Sequence, residues 1–237
     1  MRRVSAPASP QGARQLVRRL GAASLGIAAL IALAIAALRL GAADLAAFAP
    51  RRALERAATQ PPSRDDERWA RARAQLERAA SLDAGNPDLH EALGRWHEAA
   101  ALRAEALRLR SDAELRDALL NFRHALALRP SSAYTWASVA LLKLRLAEFD
   151  DEFSSAAAQA ARLGPWEPEV QLILANVAFG AFEKLRARER PTVLRTVANG
   201  LQRQGDAIFD IAWRAGRADL FCRLPGVGAS RLALRCV

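Results

Sequence analysis

The sequence predicts an all-α protein: one N-terminal transmembrane helix followed by a solenoid of helical hairpins. Three observations carry this. Residues 20–38, LGAASLGIAALIALAIAAL, hold no charge. Beyond residue 65 the apolar residues fall at helical spacing, while strand signals are nearly lacking: one Tyr, few Thr and no alternating β-branched runs. A set of small and large residues also recurs at fixed spacings between residues 72 and 175.

The elements follow in order. Residues 1–19 form a basic tail with Arg2, Arg3, Arg14, Arg18 and Arg19 and no acid. Residues 20–40 are the anchor. A bilayer core of about 30 Å needs roughly 20 apolar residues in a helix. Leu25, Ile27, Leu30, Ile31, Leu33, Ile35 and Leu38 supply hydrophobicity that Ala alone would not. Basic flanks stay cytoplasmic, so the expected topology is N-in and C-out, a single-pass protein of a bacterial inner membrane with a periplasmic C-terminal domain. A cleaved signal peptide is the rival reading, because Ala47-Phe48-Ala49 has the small-x-small pattern of a cleavage site. Against it stand the length of the apolar run and the intervening Arg39 and Asp44. Residues 41–64 read as a linker, within which residues 50–64, with Pro50, Pro61 and Pro62, read as linker or as a short helix that breaks at the prolines.

Charge gives the domain no nucleic-acid signature. The net charge is +10, carried by 33 Arg and 2 Lys against 25 acids. Half of the excess lies in residues 1–44, where topology accounts for it. In the rest, basic and acidic residues interleave along helices, as in Arg71, Arg73, Glu77 and Arg78. That is the pattern of a solvated face, whereas a nucleic-acid domain shows a one-signed patch. An acidic polysaccharide remains compatible with the mild positive balance.

Residues 65–190 carry the repeat. Ala118, Phe122, Ala125 and Pro130 are followed by Trp136, Val139 and Ala140. Upstream, Ala72, Leu76, Ala79 and Ala84 keep the spacing, followed by His90, Leu93 and Gly94. Downstream, Phe153, Ala157, Ala160 and Pro165 do so, followed by Gln171, Leu174 and Ala175. Small residues let paired helices approach, larger ones fill the hollows between them, and pairs stack because none buries its own apolar face. A non-repeating Ala-rich helical bundle is the alternative architecture. Residues 191–237 fit no repeat and read as capping helices over 192–204 and 206–215 with a tail.

This pattern resembles the tetratricopeptide repeat, over about residues 66–182. Its period is 34 residues, and the Ala84-to-Pro130 offset of 46 exceeds that by twelve. The surplus, EAAALRAEALRLRSDAE, is helix-forming and predicts longer helices. The resemblance implies a concave, partner-binding face lined by Asp88, Glu91, Arg95 and Glu98, then Tyr134, Leu141 and Arg145, then Glu169, Leu172, Asn176 and Phe179. Mixed polarity there suits a peptide segment or a partner helix. The Lys/Asn arrangement by which some of these domains clamp a terminal carboxylate is missing.

The sequence offers no catalytic, cofactor or metal motif. His90 and His97 lie seven residues apart on one helix, about 10.5 Å along its axis, too far for one ion, and read as packing or surface residues. His124 shows no partner. The acidic runs 65–67 and 150–152 read as helix starts. Asn86-Pro87 and residues 129–132 read as capped turns. The five Trp read as core residues first and sugar-stacking platforms second, with Trp166, between Pro165 and Pro168, the one expected at the surface. Cys222 and Cys236 can pair in an oxidising compartment, closing a 15-residue loop worth about 3 kcal/mol. Two unpaired, packed thiols are the alternative.

The expected function is therefore a non-catalytic scaffold that docks other envelope proteins through its groove. In layout the chain is similar to small membrane-anchored proteins of exopolysaccharide biosynthesis and export machinery, which implies a role in polysaccharide assembly. Cytochrome c maturation, division and secretion machines are alternative settings, and a glycan-binding protein or enzyme is the opposing class.

Overall fold

In the computed structural model of the protein the described residues are 10–57, 66–228 and 231–236. Among these there is no strand. The first helix, α1 (Pro10–Ala57), is 48 residues long, about 72 Å at 1.5 Å per residue. Within it, Ile27–Pro50 is long and apolar enough to cross a membrane, with a mean hydropathy of 1.9. Residues 27–42 are exposed, whereas Ala43, Ala47 and Pro50 are buried against the rest of the protein.

The linker expected over 41–64 is thus corrected for its first part: α1 runs unbroken through Pro50 to Ala57. An internal proline costs a helix about 3 kcal/mol. Docking of Ala43 and Ala47 on two neighbouring helices offsets that cost. Residues 58–65, with Pro61 and Pro62, lie outside the described residues, as do 1–9 of the basic tail. The small-x-small motif at 47–49 sits inside α1, with Ala47 fully buried.

Eight further helices follow, the first six of them within residues 65–190, where the repeat is expected. They are α2 (Asp66–Leu82), α3 (Pro87–Ala106), α4 (Asp112–Leu128), α5 (Ala133–Arg145), α6 (Asp151–Leu163), α7 (Pro168–Ala181), α8 (Arg190–Asn199) and α9 (Leu201–Arg214). Each packs on its successor, and α1 on α3, α5 on α7, α6 on α8 and α7 on α9 also touch. Glu91 near the start of α3 accepts a hydrogen bond from Thr135 near the start of α5, and Glu105 near the end of α3 pairs with Arg145 at the end of α5. These two helices therefore run side by side in the same direction. Gly180 lies against Leu144, which aligns the ends of α7 and α5, and Gln204 donates to Pro168 O, which aligns the starts of α9 and α7. Helices α3, α5, α7 and α9 form one layer; α4, α6 and α8 form the other.

The repeated residues occupy the interface between layers. Ala118, Phe122, Phe153, Ala157, Ala160, Leu174 and Ala175 are all fully buried. A Cβ on Gly94 would stand 3.0 Å from three Phe122 ring atoms, so the glycine lets α3 approach α4 closely there. Fully burying a side chain such as Phe122 is worth roughly 1.5–3 kcal/mol. The surplus segment is helical as expected: α3 is seven residues longer than α5, and α4 four longer than α6.

The turns use two chemistries. Into α3, α5 and α6 the chain enters on a capping side chain: Asn86 accepts from Asp88 N, Ser132 from Thr135 N and Asp150 from Phe153 N. Out of α3, α5 and α9 it leaves through one left-handed residue, Arg108, Ala147 and Gly216. The following amide reaches back five residues to close the turn in each: Leu109 to Ala104, Glu148 to Lys143 and Arg217 to Ala212. At the α5–α6 turn Lys143, almost fully buried, is held by Asp150 at 2.8 Å, Glu152 at 3.1 Å and Glu148 at 3.4 Å. Burial pushes its ammonium pKa down, but the bonds to Asp150 and Glu152 outweigh it and the net shift is upward.

At the C-terminal end the helix break falls at Gly200, four to six residues before the 204–206 boundary expected from sequence, with a kink at Gln204. Gly200 is wedged so closely against Gln171 and Ile208 that a Cβ would lie 2.8 Å from Gln171 Oε1. A short helix, α10 (Ala218–Cys222), and a 3-10 segment, Arg231–Cys236, complete the chain. Cys222 and Cys236 are disulfide-bonded, with Cα atoms 5.8 Å apart. The bond draws the tail over α9, where Leu232 is buried next to Gly205.

Candidate protein-binding face

The parallel course of α3, α5 and α7 places the residues expected in the groove along one layer, and most of them lie on its open side. On α3, Asp88 and Glu91 both bind Arg129 of the α4–α5 turn, at 2.7 and 3.1 Å. Glu91 also accepts from Thr135 Oγ1 at 2.8 Å. One helical turn on, the Arg95 guanidinium sits 5.7 Å from the centre of the Tyr134 ring. Glu98 follows, half-buried. Burial raises its carboxyl pKa, against the pull of Arg145 and Arg95. At the far end Arg145 donates to Glu105 at 2.8 Å.

Tyr134 is the centre of this group. It packs edge-on against Phe122 on one side and faces Arg95 on the other. Burial first, and the Glu98 carboxylate second, push its phenol up to about 12. The hydroxyl is therefore neutral at physiological pH and can both donate and accept. Leu141 is half-buried against the core. On α7, Glu169 is exposed, Leu172 is half-buried, and Asn176 donates to Leu172 O.

Phe179 does not belong to this face. It is 1% exposed and lies inside the core cluster. Gly180, exposed against Leu144, takes the outward place at that end of α7. Arg129, Thr135 and Glu105, which tie the face together, escaped the sequence reading, because their partners are 38 to 44 residues away.

The histidines divide. His90 is half-buried, with Nε2 3.1 Å from Ala84 O and its ring edge-on to His124, which supplies the partner that sequence did not show for His124. His97 is buried, with Nδ1 2.6 Å from Glu114 Oε2. Asp117 brings a second carboxylate, so the three offer ligand atoms within 4.8 Å of one another. These residues were not expected to meet, since 17 residues separate His97 from Glu114. The Arg73 guanidinium, bonded to Glu77, also feels both acids, so the carboxylates already face a cation. A buried His–Glu hydrogen bond crossing from α3 to α4 accounts for the arrangement.

The tryptophans divide as well. Trp69 stacks on buried Trp96 with ring centres 5.1 Å apart, and Trp136 donates through Nε1 to Pro130 O. Trp166 is exposed, as expected from its prolines, and Trp213 is equally exposed, which was not expected. Compared with family models, with curated proteins and with solved structures, the chain gives no match.

Proposed function

We propose that the protein is a non-catalytic interaction scaffold, anchored by α1 in a bacterial inner membrane with its helical domain in the periplasm. It docks other envelope proteins on the face of α3, α5 and α7. The observation that carries the reading is the division of α1. Its first exposed part is apolar, and its last part is built into the domain as the first helix of the stack. An anchor joined without a linker suits a protein whose work is to hold partners at fixed height and orientation.

The face suits a protein segment. Along about 30 Å of α3 it presents Arg95, Glu98 and Tyr134 among self-paired acids and bases, with Leu141 and Leu172 as apolar contacts. Such surfaces recognise a partner by exchanging internal ion pairs for equivalent external ones, which gives specificity more than raw affinity. The architecture of paired helices with aligned first helices supports the tetratricopeptide-like solenoid.

Polysaccharide assembly is the setting we favour, on layout. Affinity capture of the full-length protein from native membranes, with crosslinking and mass spectrometry, tests it. Recovery of polymerase, copolymerase or export components supports that setting. Recovery of another envelope machine keeps the scaffold and removes the setting. Capture of no protein by a folded, crosslinkable preparation removes the scaffold.

A further inference from the structure

We propose that the edge of the domain formed by the α2–α3, α4–α5 and α6–α7 turns lies on the bilayer from which α1 emerges, with Trp166 seated in its headgroup region. The proposal rests on the anchor reading of α1 and goes beyond it by fixing which edge of the domain faces the lipid. The first step is polarity. Ala43 and Ala47, the α1 residues nearest its apolar stretch, join one cluster with Leu76, Ala79 and Ala80 and with Leu89, Ala92 and Leu93. Those are the second half of α2 and the first half of α3. The turn between them, residues 83–86, therefore points along α1 toward its apolar end.

The second step is height. Arg39 is the first charge after the apolar run, and among the residues described from Ile27 onward Ala43 is the first that is buried. Four residues of helix rise about 6 Å. The domain thus begins about one helical turn above the hydrocarbon boundary, with no slack between.

The third step carries the edge across the stack. Arg129 of the α4–α5 turn binds Asp88 at the start of α3. Gly164 of the α6–α7 turn lies so close to Ala133, at the start of α5, that a Cβ would stand 2.6 Å from the Ala133 Cβ. The three turns are consecutive teeth of one edge. Trp166 is the exposed aromatic on it, at 70%, beside the partly exposed Leu163. An indole is apolar over its rings and polar at its N–H, and Trp concentrates at the membrane interface for that reason.

Trp213 is an internal control. It is exposed to the same degree but lies toward the far end of α9. Gln204 at the start of α9 meets α7 at Pro168. Arg217, just past the end of α9, binds Glu183, just past the end of α7. Trp213 therefore belongs to the opposite edge. Helix α1 contains no Trp, so indole fluorescence reports on the domain only.

The test uses the full-length protein in phosphatidylethanolamine–phosphatidylglycerol vesicles with a nitroxide on the lipid headgroup. Flotation of the protein with the vesicles is scored first, then quenching of Trp fluorescence in the wild type, Trp166→Phe and Trp213→Phe. Both side chains are exposed, so the variants keep the fold, which circular dichroism checks. The expected result is flotation of all three, quenching that falls about two-fold in Trp166→Phe, and no change in Trp213→Phe. Flotation with quenching unchanged in Trp166→Phe, or lost in Trp213→Phe, overturns the membrane-facing edge while leaving the anchor in place. Failure to float overturns the anchor and the edge with it.

Discussion

At the scale of single residues, Lys143 makes the clearest demand on the fold. Its stem is buried and its ammonium meets three acids that remain partly hydrated. Replacing it with Ala strands those acids and opens a void, at an expected cost of about 2–3 kcal/mol, less than for a fully buried pair. Urea denaturation against pH measures this. Burial pushes the Asp150 carboxyl up, but its bonds to Lys143 and Phe153 N outweigh that and hold it below 3.8; Glu152 is held below 4.5 by Arg123 first and Lys143 after. Their stabilisation is full above those values and is lost as pH falls through the lower, folded ones. The variant should show a flatter loss on the acid side. Ala147 is the opposite case, a side chain in a left-handed turn where glycine would be free of strain. Ala147→Gly should raise stability by about 0.5–1 kcal/mol in the same assay. The acidic run 150–152 was legible as a helix start. Its second role was not, because nothing in a sequence shows that a lysine seven residues earlier turns inward.

At the scale of elements, close approach governs. Phe122 is fully buried, so a methyl group on Gly94, 3.0 Å from its ring, has to push the ring aside within the core. Gly94→Ala should cost about 1–3 kcal/mol, despite the better helix propensity of Ala, and the loss should appear as a lower melting temperature. The disulfide acts on the tail instead. Cys222→Ser should cost about 3 kcal/mol in denaturant unfolding and should free residues 231–236 for hydrogen exchange. The pairing of small and large residues made α4 and α6 readable, because the spacing is the packing. Phe179 was misplaced because the expected face was carried over by position, and at the end of α7 the small residue, Gly180, faces outward. The break at Gly200 was equally hidden: it depends on contact with Gln171, about thirty residues away.

At the scale of the whole molecule, one continuous helix sets the geometry. The apolar run made a helix long and apolar enough to cross a membrane legible, and the prolines suggested that a linker would separate it from the domain. Burial of Ala43, Ala47 and Pro50 shows why they do not: the last part of α1 is needed as the outer partner of α2 and α3. A helical domain built on the last part of such a helix is held in fixed relation to the apolar part, and its α3, α5 and α7 face is presented in one direction. We propose that this face, and not the outer layer, holds a protein partner. Site-specific photo-crosslinking in native membranes tests it most directly, with the photoreactive residue at Arg95 or Leu172 on the face, or at exposed Leu120 on α4. Discrete crosslinked protein species are expected from positions 95 and 172 and none from position 120. The same products from all three positions, or products from position 120 alone, would contradict it.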